Sequence, residues 1–354
     1  MLKSKYYVIG VMSGTSLDGL DFAYVEFNFN SSWSFKIIKA ETIEYSKEWK
    51  NILKNLVSNT LEELHKIDKN YTSYLGFTIN EFIKRNNILE LDAVCSHGHT
   101  ALHQPEKGLT YQIGNQKQLS KLIGKTVVCN FRVQDVELGG QGAPLVPIGD
   151  KLLFSKYDYC INLGGFANIS TDIYKQRIAY DICPVNIVLN DYASKLGLDY
   201  DCNGDLAASG NINEALLSKL NNLEFYKLNP PKSLGLEWVR KTIFPLIKAY
   251  NLKIEDILRT FVEHIACQIT REINTSRNTS VLITGGGVYN LFLMDRIKAL
   301  TDNTIIIPSK KIIEYKEALI FGLLGVLKLR NEDNCLSSVT GASKNHSSGN
   351  IFHP

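Results

Sequence analysis

The chain lacks any apolar run long enough to cross a bilayer, and its first apolar stretch meets glycine after a few residues, without a signal peptide's continuous core or cleavage pattern. It lacks an excess of either charge as well: 39 basic and 36 acidic residues leave a formal +3 over 354 positions, with the lysines spread rather than massed. That balance argues against nucleic acid or a membrane as partner, while one local site for a small anion such as a nucleotide stays compatible. CxxC pairs are missing too. Cys95, Cys129, Cys160, Cys183, Cys202, Cys267 and Cys335 are odd in number and mostly sit in apolar stretches, the pattern of reduced, buried thiols in a cytoplasmic protein. Two nucleotide signatures fail. LIGKT ends like a P-loop, but Leu119 stands where glycine is required five positions before Gly124, and GGGVYN lacks the GxGxxG spacing. Any nucleotide must therefore be held by dispersed turns.

What is present is enough apolar residue, 44%, to fill two cores of ordinary size. Residues 6–27 read as strand, glycine turn and strand, 35–43 as a third strand, 49–86 as helix, and 91–96 as a short buried strand delivering HGHTALHQP. The plan repeats: 159–174 is again strand, glycine turn and strand, and 177–181 a following strand. A helix then carries Ile254, Ile257, Leu258, Phe261, Val262, Ile265, Ile269 and Ile273 on one face and leads into the strand 281–284 and Gly285, Gly286 and Gly287. Strands alternating with helices, twice, predict a duplicated α/β architecture with a cleft between two domains. The expected division is 1–131 and 132–335, with 336–354 open to joining the first domain, while the Ser-, Gly- and Asn-rich segment 335–354 reads as a surface tail with a poorly ordered end.

The turn SGTSLDG packs two glycines, three hydroxyls and a carboxylate into seven residues. Glycines bring backbone N–H groups close to phosphate, hydroxyls add donors, and Asp18 suits a water on magnesium. The same composition also serves a plain hairpin. His97, His99 and His103 have the spacing HxHxxxH, but they start at a strand end in a loop holding Gly98 and Pro105, where cleft lining or loop hydrogen bonding is a better reading than zinc. Arg132, beside a Gly- and Pro-rich segment, suits a bidentate clamp on an oxyanion or, alternatively, an ion pair with Asp135 or Glu137. In YDICPVN, Asp181 follows a strand and is placed either as a general base or as a turn cap, with Asn186 nearby.

Taken in order, GVMSGTSLDGLD, SHGHTALHQP, TYQIGNQ, FRVQDVELGGQGAPLVP, INLGGFANIS, YDICPVN, DCNGDLAASG and LITGGGVYN resemble the anhydro-N-acetylmuramic acid kinase family over about residues 6 to 343. The resemblance implies two RNase H-like α/β domains of the actin and hexokinase type closing on ATP. It implies a reaction in which water opens the 1,6-anhydro ring of 1,6-anhydro-N-acetylmuramic acid while O6 is phosphorylated in cell-wall recycling. ATP and Mg2+ are the implied cofactors, the sugar and ATP the implied partners, and a homodimeric state is left open. Ser13, Gly14, Thr15, Ser16, Leu17, Asp18, Gly19, Leu20 and Asp21 would form the first phosphate turn, with Asp18 near the metal through water. Gly164, Gly165 and Asn168 would form the second, and Gly285, Gly286 and Gly287 would lie near the adenosine. Asp181 would activate water, and His97, Arg132, Asn186 and Glu317 would contact the sugar. Another sugar kinase of the same superfamily, or a non-catalytic binding protein, is the alternative. The chain departs from the family pattern at His99, Asn130, Cys183 and Val185, and the last two bear on the sugar pocket beside Asp181.

Overall fold

A computed structural model describes residues 3–14 and 16–354. The chain divides into two compact units, residues 1–153 with 315–354, and residues 154–314.

In the first unit β1 (Lys5–Ser13), β2 (Gly19–Asn30) and β3 (Ser32–Glu44) form an antiparallel meander. β4 (Ala93–Ser96) then pairs parallel with β1, and β7 (Val127–Cys129) parallel with β4. Between them β5 (His99–Gln104) and β6 (Leu109–Ile113) make a separate hairpin. β13 (Asn350–Phe352) adds antiparallel to β7, giving the sheet order β13-β7-β4-β1-β2-β3. The period of two decides the faces: Ile9, Val11, Leu20 and Phe22 enter a core with Leu64, Tyr71, Leu75, Ile79 and Phe82 of helix Leu61–Arg85. That helix starts on a capping box in which Thr60 and Glu63 satisfy each other's backbone N–H groups. On the other face lies helix Lys310–Leu329 beyond its non-helical Tyr315, so close that a Cβ on Gly10 would stand 1.8 Å from the Ala318 carbonyl oxygen.

In the second unit β8 (Tyr159–Leu163), β9 (Phe166–Ile173) and β10 (Gln176–Pro184) form a second antiparallel meander. β11 (Ser280–Thr284) pairs parallel with β8 and β12 (Thr304–Ile306) parallel with β11, so the order is β10-β9-β8-β11-β12. Setting β13 aside, both sheets share one topology: third, second, first, fourth, fifth strand, with the first three antiparallel. This is the RNase H-like arrangement, present twice. Helix Ile254–Ile273 covers the Ile161, Leu163 and Ile169 face, and all the expected stripe residues after Ile254 are buried there. Each such side chain stabilises the core by roughly 1.5–3 kcal/mol.

The contact boundary falls after residue 153 rather than after residue 131. Residues 132–153 are bound into the first unit by Arg132 on His97, Thr340 on Asp135, and the buried Lys316–Asp150 ion pair at 2.7 Å. The segment 335–354 is no loose tail. Cys335, Thr340, His346 and Ser348 are buried, Asn334 donates to the Leu324 and Ser348 carbonyls, and β13 closes the sheet edge. Several of its buried polar groups are hydrogen-bonded, the Thr340 hydroxyl to Asp135 and the Ser348 N–H to the Asn334 side chain, which composition does not reveal.

Candidate functional site

The first glycine turn links β1 to β2. Leu17 sits at a φ of 59°, and the turn closes through Leu17 N–H to the Gly14 carbonyl at 3.4 Å. Thr15 lies outside the described residues. Asp18 is exposed, and its Oδ1 accepts from the Ser16 hydroxyl at 2.6 Å and the Gly19 N–H at 3.1 Å. Among the described residues only Oδ1 takes a hydrogen bond, and through it the carboxylate shapes its own turn. Ser13 is buried, its hydroxyl held by His99 Nδ1 at 2.7 Å and the Tyr45 hydroxyl at 2.6 Å, with Tyr71 next in the chain of hydroxyls. It anchors the turn from beneath rather than offering a free hydroxyl. Leu20 likewise turns into the core, so only its backbone belongs to the turn. Gly19 is required by packing, since a Cβ would stand 2.5 Å from the Ile43 carbonyl oxygen. Asp21 lies within β2 and accepts from the Thr42 hydroxyl at 2.6 Å.

The three histidines have separate partners. The Nε–H of Arg132 donates to His97 Nε2 at 2.9 Å, which leaves the proton on Nδ1 to donate to the Gly98 carbonyl at 2.8 Å. Burial, reinforced by the neighbouring guanidinium, holds His97 well below the usual imidazole range. Burial pushes His99 down to about 4, and His103 Nδ1 pairs with the Thr110 hydroxyl at 3.0 Å. Among the described residues the three histidines do not gather into one metal-binding group.

Arg132 also donates from Nη1 to the Gly142 carbonyl at 2.6 Å. The expected alternative, a hydrogen-bonded ion pair with Asp135 or Glu137, is not what holds it. Glu317 is exposed and is the strongest acidic influence on the guanidinium. Sequence reasoning missed the supports around this motif: buried Asp68 accepts from the Tyr111 hydroxyl and the Gly114 N–H, and Asn115 donates to the His97 carbonyl. The signal was one charged residue in the middle of an apolar helix face.

In the second unit the β8–β9 turn carries Gly164 and Gly165. Their carbonyls accept from the N–H groups of Val185, Asn186 and Ile187, so the start of helix Asn186–Ser194 is tied to the turn through backbone. Asn162, Asn168 and Asp181 stand in one row across β8, β9 and β10, on the face away from Ile161 and Ile169. A register shift lies between Asp181 and Cys183. Along the free edge of β10, the Asp181 N–H donates to the Lys232 carbonyl at 3.0 Å, and Asp181 Oδ2 accepts from the Leu234 N–H at 2.8 Å. Burial raises the Asp181 carboxyl above its ordinary range, opposed by the hydrogen bonds from Leu234 and Ser233. Cys183 and Val185 are fully buried in the core of this unit, so their departure from the family pattern is absorbed by packing. The Asn130 departure occupies a φ of 60°, a conformation Asn adopts as readily as Asp.

Gly285 has a φ of 86° and a Cβ there would stand 2.7 Å from the Leu163 carbonyl oxygen, while one on Gly287 would stand 2.6 Å from the Leu163 Cβ. Both glycines let this turn pack on the end of β8. Gly286 is exposed with nothing near a Cβ, and it alone of the three presents open backbone.

A twice-used RNase H-like sheet, each copy opening on a glycine hairpin, is the architecture of the class that includes sugar kinases and actin-type ATPases. Residues 6–354 match the family described as Anhydro-N-acetylmuramic acid kinase. A relative from Sulfurimonas denitrificans with that name is 32% identical over 371 residues, covering 99% of this chain and 100% of its own. One of the same name from Haemophilus influenzae is 32% identical over 384 residues, covering 99% and 98%. Among solved structures, ligand-bound xylulose kinase from Lactobacillus acidophilus is similar at 12% identity, 99% and 94% coverage and a TM-score of 0.46. The chain belongs to the anhydro-N-acetylmuramic acid kinase family.

Proposed function

We propose that this protein uses ATP and water to convert 1,6-anhydro-N-acetylmuramic acid into N-acetylmuramic acid 6-phosphate, with Asp181 as the general base. The observation that carries the reading is the state of Asp181. It is a partly buried carboxylate with a raised pKa, fixed by the Leu234 N–H, in one polar row with Asn168 at the strand ends that carry Gly164 and Gly165.

The chemistry requires such a group. O6 of the anhydro sugar is an ether oxygen with no proton to lose, so it becomes a nucleophile only as its bond to C1 breaks. Water attacks C1, one of its protons passes to Asp181, the C1–O6 bond opens, and O6 takes the γ-phosphoryl group as ADP departs. A general base of this kind contributes about 10²–10⁴-fold. The backbone of Gly164, Gly165 and Gly286 is proposed to approach the nucleotide. The exposed Asp18 carboxylate fits a water on Mg2+, whose bound charge would offset that of the phosphates. Arg132, oriented by His97, and Glu317 are proposed sugar contacts, as is Asn186.

The test is purified protein with ATP, Mg2+ and the anhydro sugar, assayed for ADP and sugar 6-phosphate beside Asp181→Asn. Turnover by the parent and loss in the variant are expected. Preference for glucose or ordinary N-acetylmuramic acid would overturn the substrate, and full activity in Asp181→Asn would overturn the base.

A further inference from the structure

The C-terminal segment brings together three buried side chains that the kinase chemistry does not use. Asp135, Cys335 and His346 each place one donor atom within 4.8 Å of the others'. Asp135 comes from the arginine motif, and Cys335 and His346 face each other across an isolated bridge, all inside the first unit.

The histidine is the telling member. Its Nδ1 faces the Lys344 carbonyl oxygen at 3.1 Å, so Nδ1 carries the proton and Nε2 presents a lone pair. His346 is 4% exposed, and Nε2 has no hydrogen-bond partner. A buried polar atom without a partner is costly, and this one points at Asp135 Oδ1 across 3.6 Å, too long for a hydrogen bond. That separation is close to the edge of a tetrahedron with bonds of about 2.1 Å, roughly 3.4 Å. The carboxylate is already oriented by outer contacts, Oδ1 accepting from the Thr340 hydroxyl and Oδ2 from the Gly142 N–H, both at 2.7 Å. Burial and the Asp135 carboxylate push the Cys335 thiol up to about 12, and the adjoining Ser348 hydroxyl puts a further oxygen beside the set.

We propose that Asp135, Cys335 and His346 form a structural site for a divalent cation of the zinc class. One nitrogen, one sulfur and one oxygen donor suit a borderline-soft ion in tetrahedral coordination, with Ser348 or a water as the fourth ligand. Binding exchanges the thiol proton for the metal, releasing one proton to solvent, and the thiolate and carboxylate together balance the dication. The nearby cation, Arg132, is already committed to His97 and Gly142. The site would clip residues 335–348 onto the segment that carries Arg132.

The full chain, expressed with zinc in the medium and dialysed against a weak chelator, should retain about one zinc per molecule by elemental analysis. Cys335→Ser and His346→Gln should each fall to background, while Cys202→Ser, at an exposed cysteine, should keep the metal. Exchange with Co2+ should give a thiolate-to-cobalt charge-transfer absorption. A folded parent that holds less than about a tenth of an equivalent overturns the proposal, as does metal undiminished in Cys335→Ser. Should the variants fail to fold, the cobalt spectrum of the parent decides, and absence of the thiolate absorption overturns the site.

Discussion

Asn168 stands directly opposite Asp181 across the β9–β10 ladder. The pairing joins two motifs, INLGGFANIS and YDICPVN, that sequence alone treats as a phosphate turn and a catalytic loop. A strand-borne carboxylate is thus held at a fixed place relative to the second glycine turn, since Asn168 and Gly165 are separated by only two residues on the same hairpin.

The raised pKa of Asp181 gives a prediction with two readouts. Asp181→Asn should lower kcat by about 10²–10⁴-fold while ATP still binds. In the parent, the acid limb of kcat should lie above the ordinary carboxylate range, activity rising as the pH climbs through it. A carboxyl whose folded pKa is raised contributes most to stability below its unfolded pKa and loses that contribution as pH rises through the folded value. At neutral pH the asparagine variant should therefore melt no lower than the parent, by calorimetry.

Neighbouring glycines should separate binding from folding. Gly286→Ala meets nothing within 4 Å and should melt like the parent, yet raise KM for ATP several-fold. Gly285→Ala places a Cβ 2.7 Å from a backbone oxygen at a φ of 86° and should lose stability by about 1–3 kcal/mol. Equal ATP kinetics in parent and Gly286→Ala would remove that turn from the nucleotide site.

Buried histidines should make the fold acid-sensitive. His99 is held down at about 4 and His264 at about 3, each by burial, whereas an unfolded histidine takes up its proton near 6.5. The unfolded state thus binds more protons below about 6.5, so stability present above that pH is lost as pH falls towards 4. Melting temperatures across this window should fall less steeply in His99→Gln than in the parent.

Arg132→Lys keeps the charge and loses the fork that reaches His97 and Gly142 together. A stability loss of about 1.5–3 kcal/mol is expected in urea unfolding, with a larger KM for the sugar and little change in KM for ATP.

Legibility followed locality. The two glycine hairpins and the 254–273 stripe were readable because their signals are periodic and contiguous. The fixing of Asp181 was not: its partners are Lys232, Ser233 and Leu234, some fifty residues on, and no local pattern announces that this strap covers the edge of β10. The free hydroxyl expected of Ser13 is consumed by Tyr45 and His99, both distant in sequence. Residues 335–354 misled by composition, because Ser348 is polar and yet interior, its backbone N–H and carbonyl both paired with the side chain of buried Asn334.

The pairing of β13 with β7 has a consequence for synthesis. The first unit begins at the start of the chain, but its last strand is made only after the whole of residues 154–314. A nascent chain therefore carries an open sheet edge at β7 while the second unit is already able to fold, and an unpaired edge is a template for wrong partners. Ribosome-bound intermediates halted near residue 330 should be the aggregation-prone species, and a separately supplied peptide spanning 331–354 should rescue them.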